Sequence, residues 1–224
     1  MAARWVFILS IPLLLLTASI ALAVNSAWLY GCGFDKYGVS STTGLAPAEL
    51  EKAAGGLISY FNSGEDYIGL TVIKDGEPFV LFNEREVVHL RDVKALIRLD
   101  YRVLLGALVY ALGYALTSLL WRRRRYWRQL AGGLVRGSGL TLVLMLVLGV
   151  GVLFNFEQLF LQFHLLSFAN DFWLLNPATD YLIMLFPGGF WYDATVFCAA
   201  VTALGVVVLG GAGYLLIRKS RAKS

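Results

Sequence analysis

The sequence predicts an α-helical integral membrane protein with four transmembrane helices and a small α+β extracytoplasmic domain between helices 1 and 2. Three observations predict it. The 224 residues are 58% hydrophobic, with a mean hydropathy of +0.67, whereas a soluble domain of this size carries far more polar surface. Four apolar stretches, Trp5–Val24, Val103–Trp121, Leu140–Phe156 and Ala194–Ile217, approach the roughly 20 residues that cross a hydrocarbon core about 30 Å thick. Charge is partitioned between the connecting segments: all 15 Asp and Glu fall in residues 25–102 and 157–193, and basic residues crowd the other links.

The elements follow in order. Residues 1–24 form transmembrane helix 1. Ala21-Leu22-Ala23 resembles a signal-peptidase site, but the apolar run is longer than a usual signal core, so the segment reads as a retained span. Cys32 follows a poor lipobox containing Tyr30, and Cys198 lies within the fourth span, so the two thiols are not expected to pair. Residues 25–102 form the extracytoplasmic domain. Within it Ala46–Phe61 carries Leu50, Ala53, Leu57 and Phe61 on one helical stripe. Tyr67–Ile73 and Pro78–Phe82 read as strands joined by a turn at Lys74-Asp75-Gly76-Glu77. Asn83 and Glu86 make a capping-box pattern for a helix carrying Glu86, His89, Asp92 and Lys94. Run straight into the second span, that helix would lift His89 roughly 20 Å above the span's start. Its apolar positions favour a helix lying on the membrane surface and bending near Asp100.

Residues 103–121 are transmembrane helix 2, 122–139 a basic link, 140–156 transmembrane helix 3, the shortest, and 157–193 an outer interfacial loop dense in aromatics. At helical spacing Glu157, His164 and Asp171 share a face of that loop. Residues 194–217 are transmembrane helix 4 and 218–224 a basic tail. The link holds Arg122, Arg123, Arg124, Arg125, Arg128 and Arg136, and the tail Arg218, Lys219, Arg221 and Lys223. The positive-inside rule makes both segments, and so both termini, cytoplasmic. The net charge of +4 then reports this membrane flank, suited to anionic lipid and not to nucleic acid.

Candidate chemistry concentrates on the only two histidines, His89 and His164. Each is flanked by carboxylates, Glu86 and Asp92 about the first, Glu157 and Asp171 about the second. An imidazole exchanges protons near neutral pH, and a carboxylate can fix its tautomer and steady its charged form. Two such groups beside lipid suit proton transfer on an acyl ester. Arg85, Arg91 and Lys94 read first as solvated charges, Asn170, Asp171 and Asn176 as caps, and the aromatics as a membrane belt. There is no Gly-x-Ser-x-Gly and no HExxH.

The segment Glu84-Arg85-Glu86-Val87-Val88-His89-Leu90-Arg91-Asp92-Val93-Lys94 resembles the first signature of the bacterial lipoprotein intramolecular transacylase (Lit) family. Phe163 through Pro177, with Asp180-Tyr181-Leu182-Ile183 and Phe186-Pro187, resembles the second. Leu90 stands where Met is common, and Gly188-Gly189 where an acidic residue often follows the proline. The resemblance implies a bacterial cell-membrane enzyme acting on a diacylglyceryl lipoprotein. It would move the sn-2 acyl chain from glycerol to the α-amine of the N-terminal cysteine, without a soluble cofactor and without a metal. On this reading His89 and His164 are catalytic, Glu86, Asp92 and Asp171 support them, and Arg85 and Asn170 position substrate. The residues themselves suggest His89, backed by Glu86 or Asp92, as the base and His164 as the oxyanion or leaving-group partner, with the swapped assignment left open.

Two other readings stay open. A metal-dependent membrane hydrolase would use His89, Asp92, His164 and Asp171 as ligands. A receptor or assembly factor would use the outer domain to hold a partner and need neither histidine. Transport is weaker, because no span carries a buried charge. Oligomeric state is not legible.

Overall fold

The computed structural model describes residues 2–120 and 124–222. Arg122, Arg123 and Lys223 of the expected basic flanks lie outside the described residues. Four helices are long and apolar enough to cross a membrane: α1 (Ala2–Val24), α5 (Glu84–Leu120), α6 (Arg124–Ser167) and α8 (Gly188–Ala222). Between α1 and α5 come α2 (Ala27–Lys36), α3 (Val39–Thr43), α4 (Pro47–Asn62) and the strands β1 (Thr71–Lys74) and β2 (Glu77–Val80), and α7 (Tyr181–Leu185) precedes α8.

The chain forms two compact units. The first comprises residues 1–21, 100–154 and 197–224. Its core is Phe7, Ile11, Ala111 and Leu130, flanked by Leu15, Tyr114 and Leu134. Close approach of α1 and α6 rests on glycine: a Cβ at Gly137 would stand 2.6 Å from the Ile11 Cβ and 3.0 Å from the Ile8 carbonyl oxygen. Leu142, Leu146, Val147 and Leu153 remain exposed, as residues facing hydrocarbon do.

The second unit comprises residues 22–99 and 155–196. The domain expected at residues 25–102 shares this unit with the second outer segment, since so small a segment buries little surface alone. Phe186 packs its ring on Tyr30 and Phe34, with centroids 5.4 and 5.8 Å away. Val39, Leu45, Leu57, Val72, Leu81 and Leu185 are fully buried. Helix α4 begins with Pro at its first turn and buries Leu50, Ala53, Ala54, Leu57, Tyr60 and Phe61. β1 and β2 pair antiparallel, with Lys74 opposite Glu77. The turn is thus two residues, Asp75 and Gly76, both at positive φ, as an Asp-Gly hairpin turn requires. Helices α2 and α3 had no counterpart in the sequence reading.

Three further expectations change. Helix α5 is assigned without interruption from Glu84 to Leu120, and its apolar residues Leu90 and Ile97, expected on the membrane surface, are buried in protein. Helix α6 breaks at Asn155, whose side chain accepts the Gln158 N–H at 3.0 Å, capping the segment that bears His164. That segment ends at Ser167, so Asp171 shares no helical face with Glu157 and His164.

Candidate active site

The site is built where the N-terminal turns of α5 meet the end of α6 and the loop after it, all within the second unit. Asn83 and Glu86 form a reciprocal capping box: the Glu86 N–H donates to Asn83 Oδ1 at 3.0 Å, and the Asn83 N–H donates to Glu86 Oε2 at 2.8 Å. Glu86 Oε1 also accepts the Leu182 N–H at 2.6 Å. Asn83 Nδ2 donates to Asp180 Oδ1 at 3.0 Å, and Asp180 Oδ2 accepts the Asn176 N–H at 2.7 Å. Glu86 and Asp180, both buried, thereby fasten the 176–182 segment to the start of α5. Glu86 is consequently a joint between segments, its two oxygens taken by backbone N–H groups, and the carboxylate acting electrostatically on His89 is Asp92.

His89 and His164 come together. Their ring centroids are 6.0 Å apart with planes 31° from parallel, and only 7% and 9% of their surfaces are exposed. Both lie outside the apolar stretches of their helices. His89 Nδ1 is sealed from solvent without a hydrogen-bond partner. His164 Nδ1 lies 2.8 Å from the Phe160 carbonyl oxygen. A carbonyl only accepts, so Nδ1 carries the proton and the neutral ring presents a bare Nε2.

Aromatic rings wall the pair. Phe160, Trp173, Phe163 and Phe168 lie 4.4, 5.0, 5.3 and 5.5 Å from His164 by centroid, and Phe168 also meets His89 edge-on at 5.0 Å. Burial in this apolar surround disfavours charge. It is the main cause holding His89 down at about 4, with His164 adding to it and Asp92 opposing. Burial lowers His164 as well, against the Phe160 hydrogen bond. Two neutral imidazoles at pH 7 are the outcome.

The remaining expected residues act through this frame. Asn170 Nδ2 donates to Asp92 Oδ2 at 2.8 Å and Asn170 Oδ1 accepts the Phe172 N–H at 3.1 Å, so Asn170 ties the loop to α5. Arg85 donates to the Asp171 carbonyl, so Asp171 contributes its backbone there and its exposed side chain is not brought to the histidines. Lys94, buried, donates to Ser63 Oγ and the Glu65 carbonyl. Among the described residues no three His, Cys, Asp or Glu side chains group as metal ligands. Sequence reasoning missed Phe160, Phe168, Trp173 and Asp180 as site residues. Phe168, Trp173 and Asp180 stand inside the second signature, which was the available signal.

Fold and site first define a class, a multi-pass membrane protein whose only two histidines meet in a buried aromatic pocket. Comparison with known proteins agrees. The family model for the lipoprotein intramolecular transacylase Lit matches residues 5–191, and the chain belongs to that family. An uncharacterized protein of Aquifex aeolicus is 29% identical over 176 residues, covering 78% of this chain and 74% of that one. The in meso structure of Lit from Bacillus cereus superposes with a TM-score of 0.83 at 21% identity, over 99% of this chain and 97% of that one. Two structures of the same protein with one histidine replaced, by arginine or by alanine, give TM-scores of 0.79 and 0.78. At that identity the likeness speaks to the fold.

Proposed function

We propose that this chain transfers the sn-2 acyl group of a diacylglyceryl lipoprotein to the α-amine of its N-terminal cysteine, leaving the lyso form with one chain on glycerol. The observation that carries the chemistry is the pair of buried neutral imidazoles, facing each other at 6.0 Å. The α-amine attacks the ester carbonyl; a C–N bond forms and the C–O bond to glycerol breaks. The amine's proton must leave and the glycerol oxygen must gain one, so a single group that takes and returns a proton balances the reaction. His164, with Nε2 bare in its fixed tautomer, suits that role. His89 then faces the developing oxyanion as donor through Nε2–H, with Nδ1 left as the sealed acceptor. This is the swapped assignment that the sequence leaves open, and the Phe160 hydrogen bond supports it. Donor and acceptor belong to one substrate molecule, so holding them in register offsets much of the entropic barrier.

The basic link and tail support, by the positive-inside rule, a reading with both termini in the cytoplasm and the histidine pocket on the outer face. The test is expression in a lipoprotein reporter strain lacking N-acylation, with mass spectrometry of the reporter's N-terminal lipopeptide. Conversion to the lyso form by the unsubstituted protein, and its loss in both His89→Ala and His164→Ala, is expected. An unchanged diacylglyceryl peptide despite confirmed expression would overturn the reading.

A further inference from the structure

Once it takes a proton, His164 becomes a cation in a pocket with little to receive it. Among the described residues its ring hydrogen-bonds to the Phe160 carbonyl. Of the charged or titratable groups in the surrounding elements, His89 on α5 faces it at 6.0 Å, Asp92 acts on His89 and is held by Asn170, Arg85 is turned to the Asp171 carbonyl, and the Asp171 side chain is exposed in the loop. Among the described residues no carboxylate hydrogen-bonds to His164. Four aromatic rings meet His164 instead, and of these the indole of Trp173, 5.0 Å away by centroid, is the one inclined least, at 38°. Tryptophan has the strongest quadrupole of the aromatic side chains, and a cation over its face is attracted most where water is excluded. The backbone on either side of Trp173 is held: the Phe172 N–H donates to Asn170 Oδ1 and the Leu174 N–H to the Asp171 carbonyl, at 3.1 Å each.

We infer that Trp173 is a positioning residue for the reaction, its indole face stabilising the imidazolium that His164 becomes when it carries the substrate's proton. The inference rests on His164 as the proton carrier. It gives the indole the part that a carboxylate plays beside other catalytic imidazoles, without placing a permanent negative charge in an apolar pocket beside lipid.

The chain has only two histidines, so imidazole NMR in detergent micelles titrates both, assigned with His89→Gln, while lipopeptide mass spectrometry follows turnover against pH. Trp173→Leu removes the π face but keeps apolar bulk; Trp173→Phe keeps a weaker face. In Trp173→Leu, His164 should bind its proton about 10-fold more weakly. The acid limb of kcat should move to lower pH and the plateau should fall, with Trp173→Phe between. A His164 titration that stays in place or moves to higher pH would show that Trp173 only fills space or excludes water, and would overturn the inference. The NMR readout needs no activity, and a variant that fails to fold in thermal melts leaves Trp173→Phe to decide. If His164→Ala keeps full conversion, the proton-carrier reading itself fails; if only the His164 titration fails to shift in the Trp173 variants, that reading stands and the indole's role does not.

Discussion

The two histidines differ in what holds them, and that difference has consequences for stability as well as chemistry. His89 is held neutral, down at about 4, by burial first, by His164 second, and against Asp92. An unfolded chain has an ordinary histidine near 6.5. Between these values the unfolded state binds more protons, so stability is full above about 6.5, falls as pH drops toward 4, and levels off below. The span from 6.5 to about 4 corresponds to about 3 kcal/mol. Thermal melts of the purified protein should show this acid loss, and His89→Gln, with no proton to gain, should reduce it, leaving the part that the buried His164 contributes. A second expectation concerns Glu86, whose two oxygens accept backbone N–H groups of Asn83 and Leu182. Glu86→Gln replaces one acceptor with a donor facing an N–H, costing about 1–3 kcal/mol. Melts should show that loss alongside weaker lipoprotein turnover. The sequence made Glu86 visible twice, as a cap and as a neighbour of His89. Only the fold shows that the 176–182 segment claims its free oxygen, since nothing local to residue 86 indicates a partner at Leu182.

Elements carry the histidines to their meeting point, and much of this level was legible. The capping box, the amphipathic stripe of α4 and the Asp-Gly turn are local patterns with local causes, and each is present. What was not legible depended on partners distant in sequence. The apolar positions of α5 before Asp100 could be covered by lipid or by protein, and periodicity does not distinguish these covers. Helices α2 and α3 are punctuated by Gly31, Gly33, Gly38 and Gly44, which weaken any helical pattern; Ser26 nonetheless caps α2 through the Leu29 N–H. Phe160 and Trp173 looked like an interfacial belt because aromatic density is the same signal for a belt and for a pocket wall. Close packing of α1 on α6 supplies the expectation proper to this scale. Gly137 faces the Ile11 Cβ and the Ile8 carbonyl, neither of which is a flexible chain end. Gly137→Leu should destabilise by about 1–3 kcal/mol, read as a lower melting temperature in detergent, while Gly139→Leu, where a Cβ meets nothing within 4 Å, should melt like the unsubstituted protein.

For the whole molecule the deciding property is which side of the bilayer receives the histidine unit, because a lipoprotein acquires its diacylglyceryl cysteine where that N-terminus is exposed. All acidic residues lie in the two segments that build this unit or at its border, and the link and tail are basic. Moving such a link outward would carry many cations across hydrocarbon, which the insertion bias opposes. The two native cysteines make the orientation measurable. Cys32 is exposed on α2 in the histidine unit, whereas Cys198 is partly buried within α8. A membrane-impermeant maleimide applied to intact cells or spheroplasts should label Cys32 and leave Cys198 unmodified. In a Cys32→Ser, Cys198→Ala chain carrying Lys219→Cys, labelling should require permeabilised membranes. Labelling of Lys219→Cys from outside, with Cys32 protected until permeabilisation, would invert the topology. It would place the imidazole pair on the side away from mature lipoproteins and so remove the proposed substrate from reach.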